Sequence, residues 1–165
     1  MSRPTQTSPI DLLKAAIRQE IADWAAAHPD IELSEVNRGA HPLGCCSDFV
    51  SAVYERLGGP DAAYALGISE IGIEAFMAAG RMDRELIAAS WPKVKPPEGL
   101  DWDGLDRLAE DADFSPATHE WIVCYGIHFD CECPDGVENP FDLPFFKRAI
   151  ASWQIENAAP QMYRP

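Results

Sequence analysis

The chain has 165 residues, 47% of them hydrophobic and 24% charged, which excludes a mainly disordered protein and suits one domain with its own core. Its 27 acidic residues outnumber 13 basic ones for a net charge of −14, so with no local Lys/Arg cluster nucleic acid and anionic membranes are poor partners. No run nears the ~20 consecutive apolar residues of a membrane-spanning helix, and Met1 to Ile10 carry no secretory-signal pattern. Five cysteines, an odd count, point to free thiols in a reducing, cytoplasmic setting rather than to a disulfide framework.

The expected architecture is a single α+β domain over residues 1–165, with 1–8 and 158–165 flexible. Ser8-Pro9 reads as a cap followed by proline at the first helical position. Ile10, Leu13, Ile17, Ile21 and Trp24 then form one apolar stripe that stops near His28-Pro29. Residues 30–45 are irregular, broken by Gly39, Pro42 and Gly44. A second helix runs from Cys46 to Leu57 and ends at Gly58-Gly59-Pro60. Residues 61–90 read as further helix broken at Gly67 and Gly80, with Ile71, Ala75, Phe76 and Ala79 on one stripe. A loop around Pro92 to Gly99 precedes a short acidic helix over Asp101 to Asp113, whose charges form a solvated face. Thr118 to Cys133 carries the one convincing strand pattern, and Pro134-Asp135-Gly136 turns the chain away from it. A last helix starts near Asp142 or Leu143-Pro144 and runs towards Glu156, anchored on the sheet by Phe141, Phe145 and Phe146.

In the strand pair, Tyr125-Gly126 serves as a two-residue turn. Cys124 then opposes Ile127, and the pairing continues through Val123–His128, Ile122–Phe129, Trp121–Asp130 and Glu120–Cys131 to His119–Glu132. One face carries Ile122, Cys124, Ile127 and Phe129. The other carries His119, Trp121, Val123, His128, Asp130 and Glu132. His119 thus lies opposite one carboxylate and diagonal to another, gaps of ~5 Å and ~7–8 Å between Cβ atoms that a His–carboxylate contact can close. A carboxylate beside an imidazole fixes its tautomer and stabilises its charged form.

Cys45 and Cys46 stand where the second helix begins, and a helix N-terminus favours the reactive thiolate. Counted from Cys46, the apolar positions Phe49, Val50, Val53 and Leu57 continue its face, whereas Cys45 is rotated by about 100°. A nucleophilic thiol needs a base, and the base an orienter. A helix-start cysteine, a strand histidine and a carboxylate on the next strand provide these three parts.

The run Cys46-Ser47-Asp48-Phe49-Val50 resembles the nucleophile motif of NlpC/P60-type cysteine peptidases, with Asp48 where that motif has glycine. His119-Glu120-Trp121 followed by Phe129-Asp130 resembles the His-x-Trp…Asp hairpin of transglutaminase-like proteins. The two blocks cover about 30 residues. The resemblance implies a papain-like core with Cys46 as nucleophile, His119 as base and Asp130 as orienter, Glu132 being its competitor. It implies a thiol hydrolase, a peptidase or amidase needing no cofactor, acting through a thioacyl intermediate on a peptide- or amide-containing substrate. Trp121 and His41 are the expected substrate-binding residues, and His41 or Asn37 could serve the oxyanion. Acidic residues near the site favour a neutral or cationic substrate.

Two other classes compete. A non-catalytic interaction module could stand on the same fold, and an acyl transferase could use the same triad. A zinc site from Cys131, Cys133 and His128 with Cys45 or Cys124 ranks last, because His128 faces away from the two cysteines and no second Cys-x-x-Cys knuckle exists.

Overall fold

The structure is a computed structural model that describes residues 7–36, 46–72, 77, 78, 81, 82, 85, 89–110 and 119–158. Helix α1 spans Pro9–Ala27. Ser8 caps it by accepting a hydrogen bond from the Asp11 N–H at 3.1 Å. Leu13, Ala16 and Ile17 are buried on its inner face, with Ile10, Ile21 and Trp24 packed beside them. A short helix α2 covers Leu33–Val36, and α3 covers Cys46–Arg56. Cys46, Phe49, Val50 and Val53 are buried along α3 at the spacing the sequence predicts. Arg56 bridges back to Glu20 and Asp23 of α1, tying the two helices together.

The stretch expected to continue as helix departs from that reading. Helix α4 covers only Pro60–Ala65, and after Gly67, at φ +75°, the chain becomes strand β1, Ile68–Gly72. Met77–Ala78 (β2) and Arg81–Met82 (β3) form a separate two-stranded ladder. Ile71 therefore sits on a strand, opposite Trp121. The cause is tertiary: an edge strand takes its conformation from its ladder partner, and local composition need not announce it.

Helix α5 spans Trp102–Glu110, with the Asp101 carboxylate accepting from the Gly104 N–H at 2.7 Å as its cap. Strands β4 (Glu120–Cys124) and β5 (Ile127–Asp130) form the hairpin, paired Ile122↔Phe129, Val123↔His128 and Cys124↔Ile127 as predicted. Tyr125 and Gly126 have φ of +51° and +75°. Two positive values suit a primed turn, whose twist matches that of the strands.

The ladder stops at Ile122↔Phe129 and does not extend to the expected Trp121–Asp130, Glu120–Cys131 and His119–Glu132 pairs, because the chain turns at Cys131-Glu132 and returns as β6, Cys133–Val137, with Asp130 paired to Cys133. Pro134-Asp135-Gly136 therefore lies within a strand instead of leading away from the sheet. The turn forms three residues before Pro134, at Cys131-Glu132, where the Asp130 side chain accepts the Glu132 N–H at 2.9 Å, a local bond typical of aspartate turns. A 3₁₀ turn at Pro140–Asp142 leads into helix α6, Pro144–Ala158.

The result is a mixed α+β fold around a four-stranded antiparallel sheet in the order β1-β4-β5-β6. Both sheet faces are covered. Ile68, Ile122, Cys124, Phe129 and Cys131 pack on residues of α1, α3 and α4. Trp121 and Val123 pack on Leu105 of α5, on Phe141 and Leu143, and on Phe145, Phe146 and Ile150 of α6. No described helix is long and apolar enough to cross a membrane.

Candidate active site

Cys46 is the first residue of α3 and is 2% exposed. Its sulfur accepts a hydrogen bond from the Glu120 N–H at 3.2 Å, so it lies against the peptide unit that joins His119 to β4. A backbone donor and a helix N-terminus both favour negative charge on sulfur.

His119 is 0% exposed and sits immediately before β4. Its ring lies parallel to Phe145 at 4.0 Å and to Trp121 at 5.6 Å, with Phe146 edge-on at 5.9 Å. Neither ring nitrogen has a hydrogen-bond partner. Buried polar atoms are almost always satisfied, so an imidazole held without a partner is an expensive feature for a purely structural core. Its Nε2 faces the Asp130 Oδ2 at 3.6 Å, slightly beyond hydrogen-bond range.

Asp130, at 2% exposure, uses its two oxygens differently. Oδ1 takes the Glu132 N–H, and Oδ2 faces His119. Glu132, the competing orienter, is occupied elsewhere: the Arg148 guanidinium holds it in a two-bond fork at 2.7 and 2.6 Å. The structure thus brings Asp130 to His119 and gives Glu132 to α6.

The other described thiols are in poorer settings. Burial pushes Cys131 well above the ordinary thiol range, reinforced by the Asp130 and Glu132 charges and by Cys46. Its S–H donates to the Leu33 carbonyl at 3.6 Å. Burial also raises Cys124, and burial with the Asp130 charge raises Cys133. Among the described residues, no group of three His, Cys, Asp or Glu side chains converges as a metal site.

Trp121, expected at the substrate, is instead a core residue with 0% exposure. Its indole N–H donates to His128 Nδ1 at 3.0 Å. That bond leaves the proton of the neutral His128 ring on Nε2, and burial pushes this imidazole down to about 4. His41, Asn37 and Cys45 lie outside the described residues. A cavity of about 250 Å³ between Trp91, Tyr125 and Glu138 lies by the Tyr125-Gly126 turn, at the far end of β4 from Cys46.

Two contributors were not singled out from the sequence: Phe145 as the ring partner of His119, and Arg148 as the holder of Glu132. The three-residue spacing between them, which puts them on one helix face, was the available signal. In comparisons with known proteins, no family model, no curated protein and no solved structure matches this chain.

Proposed function

We propose that the protein is a thiol hydrolase with a papain-like core, acting on peptide- or amide-containing substrates through Cys46, His119 and Asp130. One observation carries this reading: a wholly buried imidazole has Nε2 facing a buried carboxylate and an unpartnered Nδ1, and the backbone N–H of the next residue, Glu120, is bound by a helix-start thiol. In this scheme His119 Nδ1 takes the Cys46 proton, and the sulfur attacks the carbonyl carbon. The imidazolium returns the proton to the leaving amine as the carbon–nitrogen bond breaks, leaving a thioacyl enzyme. Water, deprotonated by the same nitrogen, releases the acid and regenerates the thiol. An amine in place of water gives acyl transfer. The backbone N–H of Cys46 serves the oxyanion. The net charge of −14 favours a neutral or cationic substrate. The odd count of five cysteines favours a cytoplasmic setting.

A second reading, a non-catalytic interaction module, is favoured by the enclosure of the site, with Cys46 at 2% and His119 at 0% exposure. Iodoacetamide labelling of the native protein across pH, with each modified cysteine mapped by mass spectrometry, decides between them. The hydrolase reading expects Cys46 to be alkylated ahead of Cys124, Cys131 and Cys133 at pH 6. Equal or slower labelling of Cys46 leaves the interaction module.

A further inference from the structure

We infer that Arg148 is a positioning residue whose hold on Glu132 sets the Asp130 carboxylate against His119 and so decides which ring nitrogen is the base; as a role in catalysis this rests on the reading above. The chain of contacts is continuous. Arg148 stands on α6, and both of its terminal nitrogens grip the two Glu132 oxygens, at 2.7 and 2.6 Å. The Glu132 N–H is in turn bound to Asp130 Oδ1 at 2.9 Å. That bond turns Oδ2 towards His119 Nε2.

A carboxylate facing one imidazole nitrogen favours the tautomer with its proton there, because a lone pair in that position would be repelled. Nδ1 is then left with its lone pair, as a base for Cys46 requires. The same helix carries Phe145, three residues earlier, stacked on the His119 ring at 4.0 Å. One element therefore fixes both the ring plane and the carboxylate that selects its tautomer. The titratable and charged groups around this network include Cys46 from α3, Asp130 from β5, Cys131 and Glu132 from the turn after it, Cys133 from β6 and Arg148 from α6.

The partner choice is chemically specific. A guanidinium matches both oxygens of a carboxylate in one plane, whereas a lysine offers a single point charge. Arg148→Lys keeps the charge and abandons the fork. It therefore separates positioning from simple attraction.

The test is the His119 tautomer, read from long-range ¹⁵N–¹H NMR of the folded, ¹⁵N-labelled protein at pH 8. Wild type is expected to show the Nε2–H form dominating by about tenfold or more. Arg148→Lys is expected to reduce that ratio severalfold, and Glu132→Gln to give an intermediate value should the lysine variant fail to fold. The exchanged pair Arg148→Glu with Glu132→Arg rebuilds the fork and is expected to restore it. Lys93→Ala, which breaks the exposed Lys93–Glu138 pair, is the control for a general loss of surface charge. An unchanged ratio in Arg148→Lys and Glu132→Gln overturns the inference. So does a wild-type ring that is not in the Nε2–H form. Thiol alkylation reports separately on the parent reading: slow Cys46 labelling together with a tautomer shift in Arg148→Lys removes the hydrolase and keeps Arg148 as the residue that orients the Asp130–His119 pair.

Discussion

Individual residues in this site are arranged by division of labour between the two ends of one side chain. Asp130 Oδ1 accepts the Glu132 N–H, and Oδ2 faces His119. Asn can keep the first contact but not the charge of the second. Asp130→Asn is therefore expected to melt within a few degrees of wild type while Cys46 alkylation at pH 6 slows about tenfold or more; equal labelling rates in the two proteins would sever Asp130 from the thiol. His128 illustrates the opposite case, a buried imidazole that works only as an acceptor. Burial holds it at about 4 in the folded chain, against about 6.5 when unfolded. The unfolded chain thus binds this proton first, so stability falls as pH drops from about 6.5 towards 4 and levels off below. The loss between pH 7 and pH 5 is about 2 kcal/mol. Urea melts at the two pH values should show that part of the loss missing in His128→Gln, which keeps an acceptor for Trp121.

At the scale of elements, the hairpin was the most legible part of the chain and its neighbours the least. Alternation along residues 119–130 and the Tyr125-Gly126 turn were sufficient for the observed β4–β5 register. Strand β1 was hidden because Ile68–Gly72 follows a helix and acquires its strand character from pairing with β4. Strand β6 was hidden because Pro134, Asp135 and Gly136 spell a turn, and here they form an irregular edge: the two-residue step from His128 to Asp130 is matched by four residues from Val137 to Cys133. The site was partly legible for the same reason. The burial of Cys46 on α3 follows from helix phase, whereas the approach of Asp130 to His119 lies beyond the paired register, and the Arg148–Glu132 fork depends on where the chain turns after Asp130. Gly136 makes that edge possible. It shares φ +75° with Gly126, but a Cβ on Gly136 would stand 2.4 Å from Phe129 and 2.6 Å from Ile127, whereas one on Gly126 would meet nothing within 4 Å. Gly126→Ala should cost about 1 kcal/mol for backbone conformation alone. Gly136→Ala should cost about 3 kcal/mol or more, since rigid neighbours add overpacking. Equal denaturation midpoints would contradict the account of β6.

For the molecule as a whole, charge is the dominant long-range property. A net −14 on 165 residues places any approaching reagent in a negative potential. A cationic thiosulfonate should modify Cys46 faster than an anionic one of similar size, and the ratio should shrink as salt is raised, because screening acts within about 10 Å at 0.1 M. A ratio that ignores salt would mean that local sterics, not the field, select the reagent. The sheet adds a second global property. With helices on both faces, the candidate site is assembled from distant parts of the chain: Cys46 meets the Glu120 peptide across 74 residues, and the His119 ring is stacked by Phe145 further on still. Such distant contacts form late, after the intervening chain has been closed into a loop. During synthesis Cys46 therefore emerges long before the Glu120 N–H that binds its sulfur, and under the proposed mechanism the thiol has no base until His119 and α6 are in place.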